Sequence, residues 1–147
     1  MEYKIVSGMP EQKILENILQ LHHSIFKVKE KSGIESKPNL LFALAIKNGK
    51  VAGYKIGYEL YKRKFYSWLG GVDPDCRNQG IGSKLMEVQH QYLREHGYRI
   101  VQTITKNKWR NMLILNLKHG YDIIGTYTDY LGELKIILEK RLEEDIK

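Results

Sequence analysis

The stretch VDPDCRNQGIGSKLM, Val72 to Met86, decides how this chain is read. An apolar segment runs into Asp73-Pro74. A short polar loop follows, and Arg77-Asn78-Gln79-Gly80-Ile81-Gly82 leads into a helical pattern. The first N–H groups of a helix lack internal partners and carry partial positive charge. Gly80 and Gly82 leave that backbone open to an anion, Arg77 offers a charge-assisted hydrogen bond, and Lys84 adds a charge in the first turn. The loop is a candidate phosphate site of an unfamiliar kind. A P-loop needs Gly-Lys followed by Ser or Thr, but here Gly82 is followed by Ser83 and then Lys84. The dinucleotide fingerprint needs a third glycine or alanine where Leu85 stands.

Upstream, Tyr3 to Val6 reads as a strand. Glu11 to Val28 reads as an amphipathic helix that starts at Pro10 and is apolar at Ile14, Ile18, Leu21 and Ile25. Lys29 to Asn39 is polar and reads as a loop with room for a short helix. Leu40 to Lys47 and Val51 to Tyr61 are strands joined by Lys47-Asn48-Gly49-Lys50, a hairpin signal. The basic turn Tyr61 to Lys64 leads to a third strand, Phe65 to Val72.

Downstream the period changes. Ile81, Leu85, Val88 and Tyr92 share a helix face that ends by Gly97. Arg99 to Thr105 alternates as a strand. Trp109 to His119 is a short helix stopped by Gly120. Asp122 to Asp129 and Leu134 to Leu138 close the chain as strands around a Gly132 turn. The order β-α-β-β-β-α-β-α-β-β, without repeat or linker, predicts one α/β (α+β) domain over residues 1–147. Its core would be a mixed, mostly antiparallel sheet of about seven strands flanked by helices.

The totals narrow the function classes. A chain of 147 residues can bury a core without staples. Cys76 is the only cysteine, so no internal disulfide forms. The start has no signal-peptide pattern, and the apolar run Leu40 to Ile46 is too short to span a bilayer. These features predict a cytoplasmic protein with no membrane role. The net charge of +7 suits a polyphosphate ligand. The basic residues are dispersed and no RNA-binding aromatic signature accompanies them, so no nucleic-acid partner is expected. The five histidines show no metal-binding spacing, so no metal is expected.

Val-Asp-Pro, then Arg-x-x-Gly-x-Gly, then an amphipathic helix resembles motif A of the GCN5-related N-acetyltransferases, the GNAT family. MLILNLKHGY, Met112 to Tyr121, resembles that family's motif B, and the element order resembles its acyl-CoA acyltransferase fold over almost the whole chain. The resemblance implies acetyl-CoA as acyl donor. The amides of Gln79, Gly80, Ile81, Gly82, Ser83 and Lys84 would hold its pyrophosphate, with Arg77 and Asn78 beside them. The pantetheine arm would pair like an added strand with the backbone near Gly71 and Val72. The strands Phe65–Val72 and Arg99–Thr105 would splay to admit it.

The implied reaction is direct attack of a bound primary amine on the thioester. Many members carry a tyrosine acid four residues before the motif B glycine; here that position is Asn116. An amide cannot act as an acid, though it can hydrogen-bond the sulfur or the arm. The family also usually has asparagine where Trp109 stands, so Asn107 or Asn111 is a candidate replacement contact. Tyr121 fills the aromatic position after the glycine and reads as core. Glu59 is the candidate base, on a strand face shared with Gly53, Lys55 and Gly57. Asn116 and Glu59 are thus the catalytic candidates. The acceptor is a small-molecule amine or a peptide amine, and a homodimer is left open. The alternative reading is a non-catalytic CoA-binding or regulatory module, supported by Asn116.

Overall fold

A computed structural model describes residues 1–27 and 33–142. The elements are β1 (Glu2–Ser7), α1 (Gln12–Phe26), β2 (Leu41–Lys47), β3 (Lys50–Tyr61), β4 (Lys64–Val72), α2 (Ile81–Glu95), β5 (Ile100–Lys106), α3 (Arg110–Lys118), β6 (Asp122–Thr128) and β7 (Leu134–Arg141). They form a seven-stranded sheet in the order β1-β2-β3-β4-β5-β7-β6. This is the expected mixed sheet, with the element boundaries shifted by a residue or a few. α1 stops at Phe26, where Lys27 turns left-handed; Val28, expected to end it, lies outside the described residues. The remainder of the Lys29–Asn39 loop contains a 3-10 turn, Ile34–Ser36.

Local chemistry explains the turns. Asn48 and Gly49 both take positive φ, as a two-residue hairpin with right-handed strand twist requires. All neighbouring strands run antiparallel except β4 and β5, which are parallel because α2 carries the chain across. Alternation along β2 divides the core. Phe42 and Leu44 point to α1, where Ile18, Leu21, Tyr54 and Ile56 join them. Leu41, Ala43 and Ala45 point to α2, where Ile81, Leu85 and Met86 pack. α3 shares the α2 side through Leu113 and Leu115. No helix among the described residues is long and apolar enough to cross a membrane.

Candidate active site

β4 and β5 are paired only from Lys64↔Ile100 to Ser67↔Thr103. Beyond that they part, each keeping its outer neighbour: β3 stays on Leu69–Val72 and β7 stays on Ile104–Lys106. The cause lies in β4. Gly57 faces Ser67 and Ile56 faces Leu69, so Trp68 is an extra residue, a β-bulge. A bulge bends its strand and breaks the ladder locally. Thr103 Oγ1 donates to the Ser67 carbonyl at 2.8 Å, fixing the vertex of the resulting cleft.

The cleft wall on β4 has unspent backbone groups. Asp73 N–H donates to the Ala52 carbonyl, which makes Gly53/Val72 and Lys55/Gly70 non-hydrogen-bonded pairs. Such pairs turn their amides and carbonyls away from the partner strand, here toward β5. Gly70 and Val72 therefore present backbone to the cleft, and the Val72 carbonyl already accepts from Arg77 Nε at 3.3 Å. Gly71, expected in this role, bonds back toward Tyr54 in this pattern. Its missing side chain serves packing: a methyl there would lie 2.9 Å from Ile25 Cδ1 and 2.9 Å from Tyr54 Oη.

The loop after β4 is built by local hydrogen bonds. Asp73 caps the 3-10 turn Pro74–Cys76 by accepting from Asp75 N–H at 3.0 Å. Asn78 and Gly80 take positive φ and swing the chain into α2. Gly80 is the N-cap and supplies no side-chain acceptor, so the first-turn amides have no capping side chain. Asn78, Gln79 and Lys84 are exposed around this end. Gly82 also serves packing, since a methyl there would meet Leu115 Cδ2 at 3.3 Å. The glycine lets α3 close on α2, and Ser83 ties the helices further, its Oγ lying 3.0 Å from His119 Nε2.

The remaining expected residues fall into separate places. Asn116 is buried on α3, and its carbonyl accepts from Tyr121 N–H at 3.1 Å. Asn107 closes the β5–β7 end, its N–H donating to Leu134 at 3.0 Å, whereas Asn111 is exposed. Trp109 packs on Phe26 of α1, with ring centroids 5.4 Å apart. Glu59 is on the face that alternation assigned, but it pairs with Phe65, on the closed side of the vertex. There it accepts from the Tyr98 hydroxyl at 2.9 Å, so the fold does not bring it to the open cleft. Tyr121 is core: its hydroxyl lies 3.2 Å from His90 Nε2, and burial pushes its phenol above the usual range.

Sequence reasoning missed several polar groups. On the α2 side, Gln89 Nε2 reaches Ser67 Oγ at 3.4 Å, while Gln89 Oε1 and Thr105 Oγ1 are buried without partners among the described residues. Lys140 Nζ donates to His90 Nδ1 at 3.2 Å. Burial, then the charge of Lys140, lowers the pKa of both His90 and His119. On the α1 side, Tyr58, Tyr66 and Trp68 form an aromatic floor beside the bulge. Lys37 Nζ sits 5.0 Å from the ring centres of both Tyr58 and Trp68. Burial and the nearby Tyr58 and Tyr127 push the Tyr66 phenol up to about 12, so it stays neutral.

Known proteins match this arrangement. The family model described as Acetyltransferase (GNAT) family matches residues 12–117. An aminoalkylphosphonate N-acetyltransferase from Salmonella typhimurium is 28% identical over 89 residues, covering 57% of this chain and 58% of that protein. The match thus spans little more than half of that relative's length. The aminoglycoside 6'-N-acetyltransferase from Enterococcus faecium superposes with a TM-score of 0.82 at 12% identity, covering 98% of this chain and 99% of the other. Ard1 from Thermoplasma volcanium superposes with a TM-score of 0.81 at 17% identity, covering 98% and 100%. The bulged β4, its parting from β5, the uncapped start of α2 and the family match agree, and the chain belongs to the acetyltransferase (GNAT) family.

Proposed function

We propose that the protein is a cytoplasmic N-acetyltransferase that transfers an acetyl group from acetyl-CoA to a primary amine by direct attack in a ternary complex. The observation that carries this reading is the cleft between β4 and β5, opening next to the uncapped start of α2. Acetyl-CoA supplies an activated thioester carbonyl. The amides from Gln79 to Lys84 offer donors for its pyrophosphate, with Arg77 and Asn78 at the rim. Gly70 and Val72 offer an unpaired strand edge for an extended arm. An amide of that edge, aimed at the thioester oxygen, would stabilise the charge that develops there. Gly71 supports the edge from behind, and Asn116, with Asn107 or Asn111, offers amide contacts along the arm.

The acceptor would lie on the aromatic floor. Lys37 holds its ammonium over Tyr58 and Trp68 without a carboxylate partner among the described residues. This fixed positive charge would repel a second cation and attract an anion, so the acceptor is a small-molecule or peptide amine whose other end is anionic. The similar Salmonella protein is described by such a substrate class, an aminoalkylphosphonate. Asn116 in place of a tyrosine supports the second reading, a CoA-binding module without catalysis.

Two measurements test the first reading. Saturating acetyl-CoA should raise the melting temperature, because a ligand at about 100 times its Kd adds about 2.7 kcal/mol. Thiol release should then be compared for a short aminoalkylphosphonate and the diamine of equal length. We expect a KM roughly tenfold lower for the phosphonate, from one screened charge pair of about 1.4 kcal/mol, and loss of that preference in Lys37→Met. Stabilisation without thiol release from any amine would favour the binding-module reading. No stabilisation would reject both.

β6 is an edge strand with Ile123 and Ile124 half exposed. A second copy paired along it would cover them, making a homodimer. Sedimentation at the monomer mass of 17.2 kDa at every protein concentration would reject this.

A further inference from the structure

The cleft contains an ammonium group that no role above uses. Lys55 lies on β3 opposite Gly70 of β4. The lysine stem lies across Gly70: a methyl built on Gly70 would be in van der Waals contact with it, 3.6 Å from Lys55 Cγ and 3.9 Å from its Nζ. The same Gly70 turns its backbone to the open cleft. Lys55 therefore stands over the wall where a thioester paired with β4 would lie, on the side facing α2 and α3. The ion pairs among the described residues join Lys64–Glu139, Lys106–Glu133, Lys108–Glu133 and Lys135–Asp129, so none of them includes Lys55.

The charged and titratable groups around it offer no counter-ion. His90 on α2 and His119 after α3 both feel the Lys55 charge, and burial disfavours their charged forms. Lys140 on β7 and Arg94 on α2 are cationic, and they too bear on His90. Glu87 on α2 acts on His119 from an exposed position. A lysine kept among such neighbours is a positive charge held for an anion that arrives.

We propose that Lys55 donates the proton to the CoA sulfur as the thioester carbon–sulfur bond breaks. This rests on the N-acetyltransferase reading and takes up the acid role that Asn116 cannot perform. The acceptor nitrogen forms its bond to the acetyl carbon, and the carbon–sulfur electron pair leaves with sulfur. The Lys55 ammonium gives one proton to that sulfur and becomes a neutral amine. The acceptor nitrogen releases its proton to water, and Lys55 regains one from solvent. Burial brings Lys55 down to about 8, close to the ordinary thiol value of about 8.5, so the proton can pass either way with little driving force against it.

The test follows the ultraviolet absorbance of the thiolate while CoA bound to the full chain is titrated. The wild-type protein should lower the bound thiol's pKa by roughly one unit. Lys55→Met, which keeps the stem, should return it to the free value, and Lys55→Arg, which keeps the charge, should leave it low. Turnover with acetyl-CoA and a short aminoalkylphosphonate should fall above about pH 8 in the wild type as Lys55 loses its proton. Lys55→Met should lower kcat roughly 100-fold, remove that alkaline fall and change the KM for acetyl-CoA little. Melting curves confirm that both variants fold. A wild-type protein that binds CoA with an unshifted thiol, or a Lys55→Met variant with the same alkaline fall, overturns the role of Lys55 alone. A wild-type protein that binds no CoA overturns the transferase reading with it.

Discussion

Gly57→Ala should cost about 3 kcal/mol and lower the melting temperature by roughly 10 °C, a larger loss than most single substitutions cause. A methyl at this position would be driven into the Phe65 ring and into the Tyr66 backbone carbonyl, with Phe65 Cζ at 2.8 Å. Neither neighbour can step aside cheaply. Phe65 is 1% exposed, wedged with Val101 and Leu138 under α2, and the carbonyl belongs to β4 itself. Gly57 is also the last β3 residue paired before the Trp68 bulge, opposite Ser67 at the vertex. Pushing β4 away there would spoil the cleft as well as the core, so acetyl-CoA binding should weaken beyond what unfolding explains. Calorimetry and ligand titration on the folded fraction check the two effects. A drop of less than roughly 2 °C would mean that the strands separate without cost at this pair.

The same pair shows which parts of the fold the sequence made legible. Local signals were readable. Asn48-Gly49 has both positive φ angles that its hairpin needs, and Gly80 turns the chain into α2. The splay was expected only through family resemblance, because its cause is a count across strands. Nothing within YSWLGG says that Trp68 has no partner; that depends on Gly57 meeting Ser67 while Ile56 meets Leu69. Alternation put Glu59 on the correct face, but a face is not a position along the strand. The register sets Glu59 beside Phe65 and Tyr98, short of the opening. For the same reason Gly70 and Val72, rather than Gly71 and Val72, turn their backbone to the cleft, since the hydrogen-bonding phase of β3 against β4 is a tertiary fact. Lys55 did leave a trace, as the one charged residue between Gly53 and Gly57, flanked by Tyr54 and Ile56. Its meaning needed Gly70 across from it.

Gln79→Glu should weaken acetyl-CoA binding roughly 30-fold while leaving the fold intact or slightly more stable. Opposite signs are what make this substitution informative. Gln79 is exposed and precedes the Gly80 cap, so a carboxylate there disturbs no packing. For the helix itself, a negative charge at the amino end is favourable by about 0.3–1 kcal/mol. For a pyrophosphate seated on the same amides, a carboxylate about 6 Å away repels at about 2 kcal/mol or more near a protein surface, which is the 30-fold. Gln79→Ala, which removes the amide without adding charge, should cost far less. The repulsion should also shrink as salt rises, because the site is at the surface and the Debye length falls to about 3 Å at 1 M. Isothermal titration at low and high salt, with melting curves of the free variants, measures both signs. Unchanged affinity in Gln79→Glu would take the pyrophosphate off the start of α2, since no loss of folding could hide the effect.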